Sequence, residues 1–102
     1  MIGITVHAGE DPEARVHELC EAIRHARVWS IRDRRRTRNL RLVHSSGNVT
    51  GTIRRVKSDD PASLDFECNA KDVAQEAITT GRFVNLVLRD LVSVSDITIH
   101  RT

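Results

Sequence analysis

Four arginines in five positions, Arg34, Arg35, Arg36 and Arg38, are the densest concentration of one chemistry in this chain. A guanidinium is permanently charged and planar, and its fork of N–H donors matches phosphate and carboxylate oxygens. Arg41, Arg54, Arg55 and Lys57 follow at strand-like spacing. From Arg24 to Lys57 there are eleven Lys or Arg against a single acid, Asp33. The rest of the sequence carries five Lys or Arg against thirteen acids, so the formal net charge of +2 conceals a strong internal dipole. Such a segment attracts an anionic polymer, and each phosphate it neutralises releases counterions, which makes binding steeply salt-dependent. Arginine outnumbers lysine fourteen to two over the whole chain. A GC-rich genome also produces that bias, so the clustering is more informative than the residue type.

The other reactive side chains form weaker patterns. His17, Glu21 and His25 share one helical face at i, i+4 and i+8, but Glu in place of the second histidine makes a poorer metal pair than His with His. His7 and His100 have outward parity near the two ends of the chain and approach each other if their strands pair. His44 shares the parity of Leu40 and Leu42, which predicts a partly buried, hydrogen-bonded imidazole. Asp65, Glu67 and Lys71 lack the acid-x-Lys spacing of a metal-dependent nuclease, since Asn69 stands where the lysine belongs. Cys20 and Cys68 both fall on apolar faces and read as reduced core thiols, with a bridge between them as the lesser alternative. The sequence has no phosphate-binding glycine loop, no His-Glu-x-x-His and no serine flanked by glycines. It predicts binding without catalysis, cofactor or metal.

The elements that must carry these residues follow from periodicity. Ile2, Ile4 and Val6 alternate as a half-buried strand. Asp11 caps a helix from Pro12 to about Arg27, with Val16, Leu19, Cys20 and Ile23 on its inner face. Trp29 and Ile31 mark a strand, and residues 33–39 a charged turn. Leu40, Leu42 and His44 mark another strand, and Ser45-Ser46-Gly47-Asn48 a hairpin turn. A strand over about Val49–Lys57 loses its alternation at Arg54-Arg55-Val56, which predicts a bulge. Leu64, Phe66 and Cys68 alternate cleanly. Asn69 is the expected cap of a second helix that Gly81 kinks or divides, and Ile97 and Ile99 mark a last strand.

The order is β-α-β-β-β-β-α-β over residues 1–102, one α+β domain with two helices on one face of a mostly antiparallel sheet. The first and last strands are expected to pair at its centre. With no signal peptide and no apolar run long enough to span a bilayer, the expected location is the cytoplasm and no membrane contact is expected.

These readings converge on a small non-catalytic module that grips an anionic partner, most concretely nucleic acid backbone, through Arg34, Arg35, Arg36, Arg38, Arg41 and Arg54 on β-hairpins. The alternative partner is an acidic protein surface, including the acidic first helix (Glu10, Asp11, Glu13, Glu18, Glu21) of a second copy in a homo-oligomer. Aromatics are too few to interleave with the arginines, so base stacking and sequence-specific reading are not expected.

Overall fold

A computed structural model describes residues 1–32 and 39–101. Six strands form one antiparallel sheet: β1 (Ile2–His7), β2 (Trp29–Ile31), β3 (Arg41–Ser46), β4 (Val49–Val56), β5 (Ser63–Ala70) and β6 (Ile97–Arg101). The spatial order is β2-β3-β4-β5-β1-β6. Helices α1 (Pro12–Arg24) and α2 (Val73–Asp90) lie on one face, and the fold is α+β. None of the described helices is long and apolar enough to cross a membrane.

Alternation decides which face is buried. Ile2, Ile4 and Val6 point under the helices with Leu64, Phe66 and Cys68 of β5, Ile53 of β4, and Leu42 and His44 of β3. Helix α1 starts where Asp11 accepts the Ala14 N–H at 3.2 Å, with Pro12 at the first helical position. It buries Val16, Leu19 and Ile23. The core aromatics meet edge to face: Phe83 of α2 lies 5.1 Å from Phe66 and 6.1 Å from Trp29, centroid to centroid. Both cysteines are free thiols.

Four local expectations need correction. Strand β4 runs past Arg54 without a bulge, since Gly51 to Val56 oppose Ala70 to Asp65 in unbroken register. The alternation falters because Arg55 occupies a helix-side position, where Glu13 of α1 receives its guanidinium at 2.7 Å. Asn69 belongs to β5, and the cap of α2 is Asp72, whose carboxylate accepts the Gln75 N–H at 2.8 Å. Helix α2 continues through Gly81, because burial of Thr80, Phe83, Leu86 and Val87 along one stripe outweighs the roughly 1 kcal/mol that a glycine costs in a helix. Strands β1 and β6 do pair, but β5 occupies the other side of β1, so β6 is the outermost strand rather than a central one.

One close approach fixes how α2 seats on the sheet. A Cβ at Gly51 would lie 2.8 and 2.9 Å from the Thr79 side-chain carbons, so only glycine lets the helix come this near β4.

Candidate nucleic-acid interface

Because both helices cover the same side, no described element covers the opposite, open face of the sheet, and alternation populates it mainly with polar side chains. The strand registers align six of these positions in one row across all six strands. Arg32, just past β2, donates its backbone N–H to the Arg41 carbonyl at 2.9 Å. Arg41 is opposite Arg54, Arg54 opposite Glu67, Glu67 opposite Gly3, and Gly3 opposite His100. The row therefore reads Arg-Arg-Arg-Glu-Gly-His from β2 to β6. With strands about 4.8 Å apart, the three arginines span roughly 10 Å.

Like charges placed directly opposite each other destabilise a sheet unless something negative lies between or above them. Among the described residues a single carboxylate serves this group: Glu67 accepts from Arg54 Nη2 at 2.8 Å. Among the described residues Arg41 forms no ion pair, and both Arg32 and Arg41 are exposed. The remaining expected site residues, Arg34, Arg35, Arg36 and Arg38, lie outside the described residues. They belong to the connection from β2 to β3, whose flanking positions are Arg32 and Arg41. Arg32 completes the row through its exposed parity with Ser30, a signal already present in the sequence.

The adjacent row, Ser30-Val43-Thr52-Asn69, carries small side chains. A shallow hollow of about 310 Å3 sits there, lined by Val43, Thr50, Thr52, Asn69 and Lys71 among others. The face beside the arginines is thus low and, among the described residues, carries no Trp or Phe ring for bases to stack on.

The other chemical clusters have local hydrogen-bond partners. Ser63 Oγ donates to Asp60 Oδ2 at 2.9 Å and lies 3.5 Å from His7 Nδ1, while His7 Nε2 is 3.3 Å from Thr98 Oγ1. In an activated serine the imidazole takes the hydroxyl proton and a carboxylate orients the imidazole. Here that proton is directed at the carboxylate. Hydrogen bonds from the Ala62 N–H and then the Ser63 hydroxyl hold the Asp60 carboxyl below its ordinary range. His7 and His100 share the open face, yet antiparallel register sets His100 beside Gly3, four residues from His7 or about 13 Å away, so they do not approach each other. Asp65 accepts from the Thr5 hydroxyl at 2.6 Å, and Glu67 is engaged by Arg54. Glu21 touches His25 and Arg24. No group of three metal-ligating side chains converges among the described residues. Burial pushes the Cys68 thiol pKa up, which opposes a reactive thiolate.

His44 is fully buried, not partly so, and Arg82 of α2 donates Nη1–H to its Nε2 at 3.1 Å. The sequence could not announce this contact, because the two residues are thirty-eight positions apart. The edge of Trp29 closes the other side, at 4.8 Å between ring centroids. Burial and then the Arg82 charge hold the imidazole pKa below its ordinary value, against a smaller opposing effect of the Val49 backbone.

No protein-family model matches this chain, and no curated protein or solved structure matches it.

Proposed function

We propose that this chain is a non-catalytic binding module that grips a polyanion, nucleic acid backbone above all, with the β2–β3–β4 end of its open sheet face. The observation that carries the reading is the row Arg32-Arg41-Arg54 with one carboxylate beside it. Among the described residues three guanidinium groups in this row face one glutamate, which leaves charge that an external anion would satisfy. The arginines of the β2–β3 connection extend the same patch in sequence. Contact is with the backbone rather than with bases, because Trp29, Phe66 and Phe83 are all in the core. The reading places the protein in the cytoplasm, with its thiols reduced.

The alternative, in which the acidic helix of one copy meets the basic hairpin of another, has less to draw on. Glu13, Glu18 and Glu21 each hold an arginine of their own chain.

The test is a fluorescence-anisotropy titration with mixed-sequence duplex and single-stranded oligonucleotides. The double reversal Arg35→Glu/Arg36→Glu abolishes binding and leaves the melting temperature nearly unchanged. Glu67→Gln frees Arg54 from its carboxylate and tightens binding. Binding that survives the double reversal would refute the site.

A further inference from the structure

Strand β6 is the edge of the sheet, and α2 does not extend over it. Ile99 points to the helix side yet is 51 % exposed. Natural sheets protect such edges with lysine, proline, a bulge or a covering element. The opposite edge conforms, since β2 has three residues and runs into the arginine segment. Between Ile97 and His100 strand β6 has no lysine, proline or bulge, and none of the described helices or strands covers its free side.

The hydrogen bonds of β6 show what its free side presents. The His7 N–H donates to the Asp96 carbonyl at 3.1 Å, and residues opposite each other in β1 and β6 have numbers summing to 103. In an antiparallel ladder the bonding pairs recur every second residue, so Asp96, Thr98 and His100 turn their backbone groups toward β1. The N–H and C=O groups of Ile97, Ile99 and Arg101 point outward, where nothing among the described residues pairs with them.

From this edge we infer that two copies of the chain associate through β6, antiparallel about a two-fold axis at Thr98, joining their sheets into one. In that register Ile97 is opposite Ile99 of the second copy, and the reverse. Both are outward-bonding positions, so the seam gains four main-chain hydrogen bonds. The same pairing sets isoleucine against isoleucine twice on the helix side. On the open side it sets Thr98 against Thr98, and the Asp96 carboxylate opposite the His100 imidazole at both ends. The strand is thus complementary to itself in shape and apolar character, as a two-fold interface requires. A slip by one residue would oppose side chains from different faces. A slip by two would set Ile97 opposite Arg101 and lose the Asp96–His100 match. A second copy fits this edge better than an unrelated strand because Asp96 to His100 pairs with itself in this register, with Ile97 and Ile99 as the bonding positions and Arg101 left opposite Ser95. The inference does not depend on the nucleic-acid reading.

Sedimentation equilibrium with amide hydrogen exchange by NMR tests it. The wild type has twice the 11.5 kDa chain mass, and the mass persists in high salt, which would dissolve a contact between acidic helix and basic hairpin. Amides of Ile97 and Ile99 become protected on association, while those of Thr98 and His100 are protected in monomer and dimer alike. Ile99→Lys weakens association at least tenfold. Ile99→Pro does the same while leaving the bonds to β1 in place, because the N–H it removes faces outward. A monomer at NMR concentrations, a dimer whose Ile97 and Ile99 amides exchange freely, or a folded Ile99→Lys that associates like the wild type would each overturn the inference.

Discussion

The buried His44 makes the fold pH-sensitive in a direction that can be worked out. Its Nε2 accepts from a guanidinium, so the folded state holds the neutral imidazole with the remaining proton on Nδ1. Protonation would take away that acceptor and place a second positive charge 3.1 Å from Arg82. Burial and Arg82 accordingly lower the folded pKa from the ordinary 6.5, whereas the unfolded chain titrates near the ordinary value. The unfolded state therefore binds more protons below about pH 6.5, and stability falls as pH drops. This contribution is fully present above the unfolded pKa. It declines by as much as about 1.4 kcal/mol per pH unit until the folded imidazole also protonates. The assay is a series of urea melts between pH 7.5 and 5.5, read by Trp29 fluorescence, whose ring touches the imidazole. His44→Leu removes this component, so the difference between wild type and variant isolates it from the exposed histidines. Arg82→Gln removes the repulsive charge and narrows the window. Equal pH slopes in the wild type and His44→Leu would refute the reasoning.

Other perturbations follow from single contacts. Gly51→Ala drives a methyl group into Thr79 and costs about 1–3 kcal/mol in chemical denaturation, and Thr79→Ala in the same chain restores part of it. Asp72→Ala removes the cap of α2 at a cost of about 1 kcal/mol, while Asn69→Ala, with no capping role, changes the melting midpoint less. Arg55→Ala is more damaging than Arg54→Ala, since Arg55 is 13 % exposed against its glutamate and Arg54 is 58 % exposed. Loss of the exposed pair costs at most about 1 kcal/mol.

The parts of this protein that were readable in sequence are those set by local periodicity. Ile2-Ile4-Val6 and Leu64-Phe66-Cys68 could be only half-buried strands, and Asp11-Pro12 could hardly begin anything but a helix. The misreadings arose where a distant partner overrode a local rule. Arg55 looked like a register slip because its carboxylate, Glu13, is forty-two residues away. Gly81 looked like a kink or a break because the stripe that carries α2 through it exists only once Phe83 meets Phe66. Of the site, the alternation of Arg41 and Arg54 was visible, but their alignment with Arg32 and Glu67 in one row needed the strand registers. The contact between His44 and Arg82 was invisible for the same reason.

The most direct measurement of the central claim is the salt dependence of oligonucleotide binding in the wild type and in Arg41→Gln. Arg41 has no ion pair among the described residues, so removing its charge costs the fold little. If it contacts a phosphate, the plot of log affinity against log salt is steep and linear in the wild type, and the variant flattens it by about 0.9 on duplex DNA. Identical slopes for the two proteins, or no binding by the wild type at low salt, would contradict a polyanion on this face.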